Sequence, residues 1–314
     1  MKKTIILFNL CMCFSTALLA NNNTSGKVFY NYSTNLDEKR SNSFNMKRAY
    51  LTFANDVNAS VSYKVTYDMG SNDGGSAHTA FLKVAMVKWK TNFGDVSIGM
   101  QGMNMFKTME NTWGHRFIQK MPMDTYGFSP SADLGIGITR EFGVISTSAL
   151  VTNGVGYKKA ESDSHKKFSF HAVYGETKLN KNDGFNIGTS FSIEPYDVDS
   201  VITENTSVMG TFVGYGGSGF HGGFEFDLKQ QNDLIGQIIC LYGTYKITEK
   251  VSLLARLDQV DRNTSADEDG IQAIIAGVHY TLEKGMTIAP TFRMTILEGE
   301  KAENSIVVNF QFQF

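Results

Sequence analysis

The sequence predicts an all-β chain, a transmembrane antiparallel β-barrel of about sixteen strands. Segments of about ten residues with period-2 alternation recur along the chain, each closed by a polar or glycine-containing turn. Phe and Tyr gather at segment ends, at Tyr30 and Tyr32, Tyr63 and Tyr67, Tyr174, Tyr242 and Tyr245, Tyr280, and Phe310 to Phe314, which suits girdles at two membrane interfaces. Beyond the first twenty positions there is no run of about 18 apolar residues, so no helix is expected to span a bilayer. With 42% apolar, 12% aromatic and 19% charged residues, 30 Gly, 4 Pro and 3 Cys, the 314 residues are neither a disordered chain, nor collagen-like, nor a disulfide scaffold. A soluble sandwich also alternates, but its greasy faces must meet in a dry core, and aromatic residues at segment ends favour the barrel.

Met1 to Ala20 reads as a secretory signal, with Lys2 and Lys3 at the start, an apolar stretch from Ile5 to Phe14, and small residues before Ala20. Cleavage is expected after Ala20, with Ala17 as the alternative because Leu18 is bulky. A lone membrane anchor is the rival reading, and the shortness of the apolar part counts against it. Loss of Lys2 and Lys3 takes the formal charge from −2 to −4, and only Cys240 remains, so no internal disulfide can form. A negative chain without a basic stripe argues against nucleic acid as a partner.

No linker or low-complexity tract divides residues 21–314, which read as one domain. In chain order the expected strands are 26–34, 43–55, 60–69, 79–90, 93–103, 132–142, 143–153, 166–177, 184–194, 203–215, 218–229, 237–247, 249–260, 270–281, 285–298 and 303–314. In the ninth, Phe185, Ile187, Thr189, Phe191 and Ile193 oppose Asn186, Gly188, Ser190, Ser192 and Glu194. In the eleventh, Phe220, Gly222, Phe224, Phe226 and Leu228 oppose His221, Gly223, Glu225, Asp227 and Lys229. In the thirteenth, Val251, Leu253, Ala255 and Leu257 oppose Ser252, Leu254, Arg256 and Asp258. The fifteenth sets Ile288, Pro290, Phe292, Met294 and Ile296 against Thr287, Ala289, Thr291, Arg293 and Thr295. Pro290 is out of place there, because a ladder without its N–H is expected only at an edge or bulge. In the last, Ile306, Val308, Phe310, Phe312 and Phe314 alternate with Ser305, Val307, Asn309, Gln311 and Gln313. Turns alternate in length, short at Phe142-Gly143, Thr248-Glu249 and 283–285, longer at 154–165, 195–202 and 261–269, as two unlike rims require.

Phe44-Asn45-Met46-Lys47-Arg48-Ala49-Tyr50-Leu51-Thr52-Phe53, followed by Ser62-Tyr63-Lys64-Val65-Thr66-Tyr67-Asp68, resembles the second and third strands of the phosphate-selective porin O and P family. Ile98-Gly99-Met100-Gln101-Gly102, then Phe106-Lys107 and Trp113-Gly114-His115-Arg116-Phe117-Ile118, resembles the strand and folded loop that come next, and Asp133 to Ile138 the return strand. The terminal Phe310, Phe312 and Phe314 resemble the C-terminal signature of bacterial outer-membrane barrels. The resemblance covers residues 44–142 and the last strand. It implies a sixteen-stranded trimeric channel for small hydrophilic solutes in the outer membrane, in contact with lipid and lipopolysaccharide, inserted by an assembly machinery that reads the terminal aromatics.

A sixteen-stranded barrel is too wide for side chains to fill, so a channel of that width needs a constriction. Residues 104–131 form the longest connection, and Trp113, Phe117, Pro122, Phe128 and Pro130 give it apolar mass to fold against the inner wall. Its charges are Lys107, Arg116 and Lys120 against Glu110 and Asp124, and His115 adds charge below about pH 6.5. Arg48, Lys64, Arg256 and Arg293 are expected to extend a basic path through the lumen, with Asp68, Glu225, Asp227 and Asp258 facing the same water. Such a mixture predicts a general pore with at most a mild anion bias. Lys and Arg are sparse for a phosphate channel.

Nothing calls for a cofactor or metal. The six histidines, at 78, 115, 165, 171, 221 and 279, share no ligand spacing, and no Gly-x-Ser-x-Gly elbow is present. The chain is therefore not expected to be an enzyme. His171 and His221 read as lumen residues, Gly214 to Gly219 as a strand turn rather than a phosphate cradle, and Asp261 to Gly270 as an exposed acidic loop. The rival function is a structural or adhesive barrel without a conducting pore.

Overall fold

The computed structural model describes residues 23–37, 41–70, 78–161, 163–199 and 202–314. The expected signal segment, residues 1–20, lies outside them. Sixteen antiparallel strands close on themselves: β1 (Asn23–Asn35), β2 (Asn42–Asp56), β3 (Val61–Gly70), β4 (Thr79–Thr91), β5 (Gly94–Gly102), β6 (Ala132–Phe142), β7 (Ile145–Thr152) and β8 (Lys167–Gly175) form the first half. The second half is β9 (Gly184–Asp197), β10 (Thr203–Gly217), β11 (Phe220–Gln231), β12 (Leu234–Lys246), β13 (Val251–Asp261), β14 (Ile271–Glu283), β15 (Met286–Leu297) and β16 (Glu303–Gln313). Each strand begins and ends within three residues of its expected bounds. Among the described residues no helix is long and apolar enough to cross a membrane.

Closure removes the two edges that an open sheet would expose. The seam runs from Lys27 opposite Gln313 to Asn35 opposite Ser305, with Tyr30 stacked on Phe310 at 5.0 Å between ring centroids. Gly26 and Phe314 exchange backbone hydrogen bonds of 3.0 and 3.1 Å, and the Phe314 ring lies where a Cβ on residue 26 would project. On β16, Phe312 and Phe314 face outward while Val307 and Asn309 are buried inside. Consecutive pleat positions point to opposite faces, so alternation in the sequence becomes a lipid-facing outside and a polar inside. Gly99 shows the cost of close strands: its φ is +118°, and a side chain there would run into the backbone oxygen of Ala85.

Four places break the regular ladder. Pairing between β14 and β15 runs to Gly277 opposite Thr291 and resumes at Tyr280 opposite Ile288, so Pro290 interrupts a barrel-wall ladder instead of sitting at an edge. On β2, Phe29 pairs with Arg48 and Tyr30 with Met46, leaving Lys47 as an extra bulged residue. On β4, Thr66 pairs with Val84 and Tyr67 with Leu82, leaving Lys83 as another. Near the end of β14, Thr281 pairs with Thr287 and Glu283 with Met286, leaving Leu282 as a third. A bulge re-aims the side chains around it, and the bulges on β2 and β4 each carry a lysine.

Candidate functional site

The connection from residue 103 to 131 lies inside the barrel. It contains two short helices, α1 (Lys107–Trp113) and α2 (Pro122–Thr125). Gly114 ends α1 in the left-handed conformation at φ 73°, and Pro122 opens α2 where its missing N–H costs nothing. Its inward weight comes from Met105, Met109, Trp113, Met121 and Met123, all fully buried, with Phe106, Phe117, Ile118 and Phe128. Unbranched methionines fill irregular gaps between loop and wall. Polar contacts fix the register. Thr108 meets His171 Nε2 at 2.9 Å, His115 Nε2 meets Thr244 at 2.9 Å, Asn104 donates to Ser148, and the Tyr242 hydroxyl donates to the Met109 carbonyl.

On the loop's open side, five charges form one chain. Lys107 reaches Glu110 at 2.7 Å, Glu110 reaches Arg116 at 2.5 Å, Arg116 reaches Asp124 at 3.2 Å and Asp124 reaches Lys120 at 3.1 Å. Burial opposes the charge on Glu110, yet Arg116 and Lys107 hold its pKa down at about 2. Burial likewise opposes the charge on Arg116, and Glu110, with Tyr50 and Asp124, raises its pKa above the usual range. His115 behaves otherwise: burial, with His279 and His221 beside it, pushes its pKa well below the ordinary value. The expectation that His115 adds charge below about pH 6.5 is therefore corrected. His115 packs among rings, 5.0 Å from His279 and 6.1 Å from His221 between ring centroids.

Between the loop and β1–β4 the lumen stays open as two basins. One, of about 510 Å³, is lined by Lys27, Lys64, Lys83, Lys107 and Glu110 among others; the second, of about 380 Å³, by Lys47, Arg48 and Lys120. Phe29, Tyr50 and Arg116 line both, and so form the narrow place between them. Behind this place Asp68, fully buried, faces Arg48 at 3.3 Å and Lys83 at 3.7 Å.

The sequence matches the model of the phosphate-selective porin O and P family over residues 21–201. The chain belongs to that family. It is an outer-membrane porin. Solved structures agree on the fold: a Salmonella typhi OmpF complex with daunomycin has a TM-score of 0.73 at 12% identity, covering 94% of this chain and 98% of that one. An anion-selective porin from Comamonas acidovorans has a TM-score of 0.69 at 12% identity, covering 93% and 99%. The trimer form of OmpT from Vibrio cholerae has a TM-score of 0.63 at 15% identity, covering 93% and 99%. No curated protein matches the chain.

The porin's acids and bases are sorted in a way that alternation alone does not reveal. Glu225 and Asp227, each 0% exposed, and Asp258, 2% exposed, face inward as strand alternation requires, but the loop covers them. They do not share the open water with Arg48 and Lys64, which corrects the expectation of a mixed lumen. Arg256, 2% exposed, is also under the loop, bound to Asp258 and to the Lys120 carbonyl. Arg293 donates to Ile118 and Gln119. Neither arginine lines a basin, so their assignment to the basic path is corrected too. His171, bonded to Thr108, lies behind the loop as well.

In their place stand Lys27, Lys47 and Lys83. Lys27 shares its face with Phe29 and Asn31, so alternation could have placed it. Lys47 and Lys83 are bulged residues, and strict alternation cannot place them. A lysine out of phase within a greasy strand is the only local signal for such a bulge. Among the described residues, no group of three His, Cys, Asp or Glu side chains is arranged to hold a metal ion.

Proposed function

We propose that this porin passes small hydrophilic solutes passively and prefers anions, inorganic phosphate among them. The observation that carries the reading is the sorting of charge by the loop. Glu225, Asp227 and Asp258 are covered, while Lys27, Lys47 and Lys64 remain on the open path with no carboxylate within ion-pairing distance among the described residues. Rings of positive charge favour anions, so the preference should exceed the mild bias that a mixed lumen gives. The family description and the anion-selective Comamonas porin point the same way.

Two open basins joined at Arg116 favour a conducting pore over a purely structural or adhesive barrel. The same reading takes residues 1–20 as the export signal, residues 21–314 as the barrel with a constricting third loop, and Phe310, Phe312 and Phe314 as the segment read by the assembly machinery. It includes contact with lipopolysaccharide, a homotrimer like the trimer form of OmpT, and a passive channel without enzymatic activity. Planar-bilayer recording in a salt gradient tests it. The zero-current potential should have the sign for anions and move toward cations when Lys107, Arg116 and Lys120 are neutralised. An unmoved potential would refute the placement of the constriction, and absence of conductance would favour the structural barrel.

A further inference from the structure

We propose that Arg256 and Arg293 are positioning residues for the constriction, setting its aperture through the loop backbone and not through their charge. The proposal rests on the constriction described above and is independent of the anion preference. The loop is aperiodic between α1 and α2, so several of its carbonyls lie outside helical hydrogen bonding. Buried carbonyls must find donors elsewhere. From β13, Arg256 Nη1 donates to the carbonyl of Lys120 at 2.7 Å, while Nε and Nη2 hold both oxygens of Asp258 at 2.7 and 2.8 Å. From β15, Arg293 Nη2 donates to the carbonyl of Ile118 at 2.6 Å and Nη1 to Gln119 Oε1 at 3.1 Å.

These attachment points bracket one short stretch. Arg116 stands two residues before Ile118, and Lys120 turns its ammonium to Asp124 on the open side while its carbonyl faces Arg256. Further contacts reinforce the β13 anchor: the Arg256 guanidinium lies 5.7 Å from the Trp113 ring centre, and the Tyr126 hydroxyl donates to Asp258 at 3.3 Å. Two neighbouring regions of wall therefore grip the loop immediately behind Arg116. The planar fork of arginine serves acceptors in two directions at once, which a lysine ammonium on a flexible stem does not reproduce. Charge and geometry can thus be separated by substitution.

The test is liposome swelling with neutral sugars of increasing size, using the full-length porin and its Arg256→Lys, Arg256→Met, Arg293→Lys and Arg293→Met variants. A heat-modifiable shift on gels reports that each barrel has folded. Released from its anchors, the constriction should admit a disaccharide relative to a pentose about threefold faster than the wild type, because pore diameter sets the sieving of uncharged solutes. The Lys variants should lose sieving as the Met variants do, although they keep the charge. Wild-type sieving in all four variants would overturn the proposal. So would Lys variants that match the wild type while Met variants lose only anion preference, which would make the two arginines charges of the path. If an Arg256 variant fails to fold, the Arg293 pair decides alone, because it leaves the Arg256–Asp258 contact intact. Neutral sugars keep the result separate from any failure of the anion reading.

Discussion

The Tyr157 hydroxyl donates to Asp68 Oδ2 at 2.7 Å, tying the loop between β7 and β8 to a fully buried carboxylate on β3. Burial and the neighbouring Asp68 raise the pKa of Tyr157, so it stays a donor. The same carboxylate faces Arg48 and the bulged Lys83, two of the cations around the narrow place. Lys83 also lies 5.1 Å from the Tyr50 ring centre and 5.2 Å from that of Tyr157. Asp68 is thus the shared counter-ion that lets two bases and two phenols pack beside the pore.

Asp68→Asn should therefore lower stability by about 3 kcal/mol, because half-buried Arg48 and Lys83 lose their compensating charge. It should also move the zero-current potential further toward anions, since a negative charge leaves the wall. Thermal unfolding in detergent and bilayer recording check the two effects. A variant as stable as the wild type would show that Asp68 is not the hub.

Glu110 makes the loop sensitive to acid. Its pKa is depressed from 4.5 to about 2 in the folded protein, so its contribution is fully present above about pH 4.5 and is lost as the pH falls toward 2. The contribution is at most about 3 kcal/mol. Open-channel noise should rise over that window as Arg116 and Lys107 lose their partner, and Glu110→Gln should show the noise already at neutral pH. Noise that is flat in both proteins down to pH 2 would contradict this.

Asp227 is fully buried, and neither carboxylate oxygen has a hydrogen-bond partner among the described residues. An unpartnered buried carboxyl is costly, so Asp227→Asn should raise stability by about 1 kcal/mol. The comparison is a thermal melt in the same detergent. A lower midpoint would mean that Asp227 has an interaction the fold does not reveal.

The barrel was legible because lipid outside and water inside impose a period of two on every strand, and the five strands with the cleanest alternation all face as read. The long loop was legible from its length and its aromatic residues. The four fully buried methionines that complete its packing, Met105, Met109, Met121 and Met123, carry no local signature that separates them from strand methionines. The distribution of charge was not legible, because whether Glu225 or Arg256 touches open water depends on where residues 103–131 lie and not on the strand that carries them. Lys47 and Lys83 escaped for a different reason, since one extra residue in a strand reverses its alternation without leaving a gap in the sequence.

The anion preference depends on the loop covering Glu225, Asp227 and Asp258 while Lys27, Lys47 and Lys64 stay on the open path. The most direct test is the zero-current potential of the porin in a KCl gradient, measured beside Lys64→Gln and Asp227→Asn. The wild type should favour chloride, Lys64→Gln should reduce that preference, and Asp227→Asn should leave it unchanged. A potential that shifts for Asp227→Asn as much as for Lys64→Gln, or a wild type that favours potassium, would contradict it.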